Sequence, residues 1–203
     1  MLNASSQDLH QNYIHLFNPG YYMGVNGGIN LYVAEGNNFS HGSAFSFSQN
    51  GGSIGRVEIG YDFTTIIGVR GFMGIAQHDW PDIRFLNPDG SIKVVGFGSE
   101  HITADLTVNL SNWWDGYRPT RFVSISVFGG AGLAHRDKAD FPSDFISPVG
   151  RVGIQGDFPL AKELDLTVIA ENNIVGDNFN GYVTGFPFDF YMAFTVGLKY
   201  HIR

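Results

Sequence analysis

The sequence predicts an all-β protein, an eight-stranded antiparallel up-and-down transmembrane β-barrel with short periplasmic turns and long extracellular loops. Three observations carry the prediction. The last stretch, Phe190–Ile202, alternates without a break: Phe190, Met192, Phe194, Val196, Leu198, Tyr200 and Ile202 on one face, Tyr191, Ala193, Thr195, Gly197, Lys199 and His201 on the other. That outruns a soluble strand of about five or six residues, and about 9–11 tilted residues already cross bilayer hydrocarbon. Secondly, charged residues are only 15% of the chain against roughly 25% in soluble domains, while 27 glycines and 15% aromatics are present. Thirdly, mean hydropathy is −0.03 and no apolar run reaches the length of a membrane helix, which is what alternating barrel strands produce.

Met1–Gly20 does not alternate. Leu9, Tyr13, Leu16 and Phe17 fall at helical spacing behind candidate caps Ser5 and Ser6, ahead of Asn18-Pro19-Gly20. A periplasmic tail or short helix is expected over 1–20, with the barrel over 21–203. The stretch lacks the basic start and continuous apolar core of an export signal, so an envelope protein would have lost its signal already.

The first strand begins at Tyr21, with Met23, Val25, Gly27, Ile29, Leu31 and Val33 opposite Tyr22, Gly24, Asn26, Gly28, Asn30 and Tyr32. A polar loop over Glu35–Ile54 leads to Gly55–Phe63, and Thr64-Thr65 turn it tightly into Ile66–Gln77. His78–Gly98 reads as a long connection, with turn signals at Trp80-Pro81-Asp82 and Asn87-Pro88-Asp89-Gly90. Strand four, Ser99–Leu110, links through Ser111–Thr120 to strand five, Arg121–His135. After Arg136–Ser147 come strand six, Pro148–Phe158, and strand seven, Leu164–Val175. Gly176–Asp189 then leads to the eighth strand.

The polar face is predicted to point inward. It is rich in glycine, which weakens a solvated strand but makes room in a crowded lumen. It carries charges of both signs: Arg56, Arg70, Arg151 and Lys199 with Glu58, Asp62, Asp105, Asp157 and Glu171. Buried charges persist only when paired, so these are expected to form a salt-bridged plug. Aromatics collect at the strand ends (Tyr21, Tyr61, Phe63, Trp113, Trp114, Phe122, Phe158 and Tyr200 at one rim), where Trp and Tyr favour membrane interfaces. Long connections follow strands one, three, five and seven, which puts both termini on the short-turn, periplasmic side. The alternative, a soluble lipocalin-type barrel, inverts the faces.

Net charge is −7, against a nucleic-acid partner. The chain has no cysteine, so disulfides and thiolate metal sites are excluded. His10 with His15, and His78 beside Asp79, lack metal-ligand spacing, and no cofactor is expected.

Tyr21–Ile202 resembles the small eight-stranded outer-membrane barrels of the OmpA-like superfamily. Val108-Asn109-Leu110-Ser111-Asn112, Gly116-Tyr117-Arg118-Pro119, Phe128-Gly129-Gly130-Ala131-Gly132, Leu164-Asp165-Leu166 and Asp177-Asn178-Phe179-Asn180-Gly181 resemble Bacteroidetes members in particular. The end resembles the signal read by the outer-membrane insertion machinery, through Thr195, Gly197, Tyr200 and Ile202, although Arg203 follows where the commonest form ends in Phe. The resemblance implies contact with outer-membrane lipid and lipopolysaccharide, and the chain has no room for the peptidoglycan-binding domain of many relatives. Some such barrels modify lipid A with a Ser/His/acid set. The histidines available, His101 near Asp105, His135 beside Asp137, and His201, pair with no evident nucleophile, and His101 and Asp105 stand about 13 Å apart along a strand. The expected function is therefore non-enzymatic, structural or recognitive. Aromatics in the polar loops, Trp80, Phe85, Phe145 and Phe186 foremost, are candidates for docking an envelope or surface protein or a glycan. The alternatives are a narrow solute channel, gated by Arg70 or Arg151 changing partners, and a lipid A-modifying outer-membrane enzyme.

Overall fold

The structure is a computed structural model that describes residues 19–33, 51–86, 92–137, 144–176, 179 and 188–202, with side chains described outside 32–33 and 79–96. Eight antiparallel strands close into a barrel in sequence order: β1 (Gly20–Val33), β2 (Gly51–Asp62), β3 (Ile67–Leu86), β4 (Ile92–Asn109), β5 (Ser124–Arg136), β6 (Phe145–Ala161), β7 (Leu164–Gly176) and β8 (Phe188–His201). One short helix, α1 (Leu110–Asp115), joins β4 to β5.

The register sets the barrel's tilt. Following paired residues round the wall from Tyr22 leads through Gly60, Arg70, Asp105, Gly130, Arg151, Asn173 and Tyr191 to Tyr32, ten residues further along β1. A stagger of this kind tilts strands by about 35–45° and leaves an interior that side chains can fill.

Burial assigns the faces. Met23, Val57, Met73, Ile102, Val152 and Val196 are exposed on the outside, whereas Arg56, Glu58, Arg70, Asp105, Arg151 and Glu171 are buried inside. Side chains of the lumen occupy the space its glycines leave open. A Cβ on Gly60 would collide with the Tyr22 ring, and one on Gly153 would lie 2.9 Å from Glu171 Cβ, while a Cβ on outward Gly55 or Gly150 meets nothing within 4 Å. This arrangement excludes the lipocalin alternative, whose apolar face would point inward. Leu31, expected on the outer face with Ile29, is buried.

Several boundaries differ from expectation. The long connection expected over His78–Gly98 is mostly ladder: β3 continues to Leu86 and pairs with β4 from Ile92. Trp80-Pro81-Asp82 sits at a register shift between Trp80 and Arg84 rather than at a turn. A bulge leaves residues unpaired, which accommodates a proline that cannot donate to the ladder. The expected link Ser111–Thr120 contains α1, whose N-cap Asn109 accepts from Asn112 N at 2.8 Å. At the β2–β3 turn, Thr64 Oγ1 accepts from Ile66 N and Ile67 N at 3.1 and 2.9 Å, fixing the tight hairpin. Residues 1–18, where a tail or helix was expected, lie outside the described residues.

Candidate functional site: the filled lumen

Strands β2, β3, β4, β6 and β7 project arginines and acids into the lumen, and the result is an alternating chain of charge. Arg70 Nε lies 3.0 Å from Asp105 Oδ2 and its Nη1 lies 3.8 Å from Glu58 Oε2. Arg151 Nε stands 3.6 Å from Asp105 Oδ1, and Arg151 Nη2 donates to Glu171 Oε2. Glu171 Oε1 accepts from Arg56 Nη1 at 2.7 Å. Glu58, Arg70, Asp105, Arg151, Glu171 and Arg56 thus run acid–base–acid–base–acid–base, so formal charge cancels within the chain. Each member comes from a different position on β2, β3, β4, β6 or β7, and all were expected in the lumen from alternation.

Neutral groups finish the packing. The Phe72 ring lies under three guanidiniums, with Arg56, Arg70 and Arg151 at 4.8, 4.5 and 4.3 Å from its centroid, and Phe128 takes Arg70 at 4.1 Å. Arg56 Nη2 donates to Thr195 at 2.9 Å, Arg151 Nη1 to Thr103 at 3.0 Å, and Arg70 Nη1 to Gln155. A cavity of about 20 Å³ remains beside Arg56, Arg151, Glu171, His101 and Tyr191, room for one water.

A second group closes the end where the termini lie. Lys199 Nζ lies 2.6 Å from Asp157 and 3.9 Å from Asp165, and His201 Nε2 lies 2.8 Å from Asp165 Oδ2. Gln155 and Thr167 also donate to Asp157. Asp62 stands half-buried at this mouth, outside these pairs.

Toward the opposite end lies a constellation that sequence reasoning missed. Asn30 on β1, His78 on β3, Ser99 and His101 on β4 and Tyr191 on β8 form one hydrogen-bonded line. Bond counting orders its protons. Asn30 Nδ2 donates to Ser53 O and Gln77 O, both at 3.0 Å, so Asn30 Oδ1 must accept from His78 Nδ1 at 3.2 Å. With neutral imidazoles, His78 Nε2 then accepts from the Ser99 hydroxyl at 2.8 Å. Ser99 Oγ accepts from His101 Nε2 at 2.6 Å, and His101 Nδ1 from the Tyr191 hydroxyl at 3.3 Å. Ser99, His78 and Asn30 therefore stand in the order of a nucleophile, base and orienting amide. Yet Ser99 is 4% exposed and His78 0%, and the His78 ring packs against Phe97 and Tyr191 at 4.8 and 5.2 Å between centroids. Turn signals in the sequence place His78 in a connection, and only the β3–β4 register brings it beside Ser99.

Other expected site residues fall as follows. Phe145 is not in a loop: it opens β6, half-buried against the cluster of Phe97, Ala134, Val149, Val175, Phe179 and Tyr191, with Arg136 at 5.6 Å over its ring. Strand pairing with Arg136 draws it onto the wall, where an apolar neighbour is available. Phe179 is likewise fully buried in that cluster. Trp80 and Phe85 side chains and Phe186 lie outside the described residues. Thr195 and Gly197 face the lumen, while Tyr200 and Ile202 are exposed at the termini's end of the wall. His101 bonds Ser99 and Tyr191 rather than Asp105, and His135 lies 3.7 Å from Glu100, not beside Asp137. Among the described residues no group of three His, Cys, Asp or Glu is placed to hold a metal.

No protein-family model matches the sequence, nor does any curated protein. Solved structures do match. Neisserial surface protein A aligns with 92% of this chain and 100% of its own, at 14% identity and a TM-score of 0.55. Outer membrane protein OprG of Pseudomonas aeruginosa aligns with 91% of this chain and 96% of its own, at 8% identity and a TM-score of 0.52. The fold is that of the small outer-membrane barrels. Ail of Yersinia pestis, solved with the heparin analogue sucrose octasulfate, aligns with 92% of this chain and 100% of its own, at 11% identity and a TM-score of 0.50. At such identities the likeness is one of fold, and the Bacteroidetes resemblance is not carried by it.

Proposed function

We propose that this barrel is a non-enzymatic protein of the outer membrane, with a permanently plugged lumen and a structural or surface-docking role at its loop end. The observation that carries the reading is the neutral, alternating chain from Glu58 to Arg56. Moving ions through it requires breaking buried pairs, each of which costs several kcal/mol to disrupt. The outer wall of exposed Val, Ile, Leu, Met and Phe supports a lipid environment, because so large an apolar surface is untenable in water. Against catalysis, the Ser99 hydroxyl is engaged by two imidazoles and enclosed, which suits a satisfied polar core better than a site for substrate.

The loop end supports a protein or neutral-glycan partner over a sulfated one. In the four connections at this end, acidic residues such as Glu35, Asp89, Asp140 and Asp177 outnumber basic ones, a composition that repels polyanions. Planar-bilayer recording of the purified protein tests the plug: no resolvable unitary conductance is expected at neutral pH and moderate salt. Discrete openings would favour the second reading, a narrow channel. One observation speaks for that reading: both Glu58 carboxylate oxygens lack a hydrogen-bond donor, leaving an acid to which Arg70 could transfer from Asp105.

A further inference from the structure

Along β7 the outward positions read Leu166, Val168, Ala170, Asn172 and Ile174, so one amide interrupts an apolar row. Its chain neighbours Glu171 and Asn173 are buried in the lumen, and its cross-strand partners are outward Val152 of β6 and Met192 of β8. The barrel's stagger puts Asn172 roughly 16 Å above the rim at Tyr61 and Tyr200. It lies about 4–9 Å below Ser53, Gln77, Glu100 and His135, where the outer faces of β2 to β5 turn polar. Between those levels Asn172 is the one outward polar side chain among the described residues. Its Oδ1 is enclosed with no donor. Acyl chains supply none, and an unsatisfied amide in hydrocarbon is costly. Above Asn172 the anomaly reverses. Ile146 of β6, paired with His135, is 64% exposed, and Phe188 of β8 is 48% exposed, with Pro148, Ile174 and Phe190 between them and the amide. This face is therefore apolar at the height where the rest of the wall has turned polar, and polar where the rest is apolar.

We infer that the outer half of the β6–β8 face is where a second copy of this chain packs in the membrane, with Asn172 on the two-fold axis. The inference rests on the membrane reading above. A bilayer has one thickness round the barrel, so lipid alone matches neither the sunken amide nor the raised apolar edge. A second barrel matches both. Copies inserted the same way share depth and orientation, so their axis runs along the membrane normal and a residue on it meets its own mate. Asparagine is complementary to itself: turned outward, each amide donates from Nδ2 and accepts at Oδ1. Ala170 and Gly150 beside it are small, which lets a second wall come within reach of the amide. Ile146 and Phe188 then gain cover above the lipid. An anionic lipid is the poorer occupant, because among the described residues no outward Lys or Arg stands above Asn172 on these strands to meet its phosphate.

Disulfide trapping tests this, since the chain has no cysteine of its own. Ala170→Cys keeps the amide and stands two residues below it, while Met73→Cys on β3 serves as a control on another face of the wall. In vesicles of phosphatidylethanolamine and phosphatidylglycerol, copper–phenanthroline is expected to join more than half of Ala170→Cys into a covalent dimer, and less than a tenth of Met73→Cys. In Ala170→Cys/Asn172→Leu the dimer should fall to the control level, with folding checked by the mobility shift on unheated gels. Equal trapping at the two sites, or trapping that survives Asn172→Leu, overturns the pairing. Monomers in every variant overturn it too, and a co-purifying anionic lipid lost on Asn172→Leu would then give the face to lipid. A water-soluble maleimide separates that failure from failure of the membrane reading. Met73→Cys should resist it in vesicles and react once unfolded in urea. Protection at Met73→Cys without trapping at Ala170→Cys sinks the dimer alone; reaction of folded Met73→Cys sinks the membrane reading as well.

Discussion

Arg56 and Arg151 are joined through a single carboxylate, Glu171, which gives one oxygen to each. Without that acid Arg56 keeps no ion-pair partner among the described residues, and Arg151 keeps Asp105 alone, at 3.6 Å. The pair is therefore where the plug is most sensitive.

Glu171→Gln is expected to cost about 3–5 kcal/mol, the range for leaving buried charge unpaired. Removing one arginine as well, in Glu171→Gln/Arg151→Gln, restores neutrality and should cost less than the two single changes summed. Urea unfolding in detergent or vesicles, followed by the mobility shift of folded barrel on unheated gels, measures both. Additive costs would contradict the coupling.

Glycines on the two faces should respond oppositely. Gly153→Val places a branched side chain against Phe128 and Glu171 and should cost about 1–3 kcal/mol through overpacking. Gly55→Ala and Gly150→Ala have open space outside and should be neutral or stabilising by up to about 1 kcal/mol. Unfolding midpoints of the three variants decide it.

Depth along the wall is open to a charge scan. Val196→Arg, near mid-wall on β8, is expected to destabilise by about 2–4 kcal/mol in vesicles, and Tyr200→Arg, at the rim, by about 0–1 kcal/mol. Equal costs at the two sites would contradict the span as placed.

The proton order of the His–Ser–His line makes a spectroscopic prediction. Imidazole nitrogen shifts should report hydrogen on Nδ1 of His78 and on Nε2 of His101, and an Nε2–H tautomer at His78 would contradict the bond count. Ser99→Ala removes the hydroxyl shared by both rings and is expected to cost about 1–3 kcal/mol. Ser99 should also resist a fluorophosphonate, read as an unchanged intact mass.

Alternation made most of the wall legible in the sequence, because in a barrel a period of two is both a local and a global constraint. Arg70, Asp105 and Arg151 could be placed inside from parity alone. Their partners could not, since pairing depends on the stagger that carries Tyr22 round to Tyr32. The Asn30–His78–Ser99 line was hidden for a further reason. Trp80-Pro81-Asp82 carries every local mark of a turn, yet pairing across β3 and β4 continues past it by admitting a bulge. The small helix was invisible because six residues hold too little periodicity, and its frame comes from side-chain bonds of Asn112 to Thr65 and Arg121, which lie outside the helix.

The seam between β1 and β8 has a mechanical consequence. Gly20 and His201 lie at the same end of the barrel, and the two strands pair from Tyr22–His201 up to Val33–Phe190. Tension between the termini would not load these rungs together. It would unzip them singly from the lowest upward, each rung bearing the force alone. Load applied through either end, by a neighbouring segment or a tethered partner, thus falls first on the hydrogen bond from Ile202 N to Tyr21 O and then on the Tyr22–His201 pair.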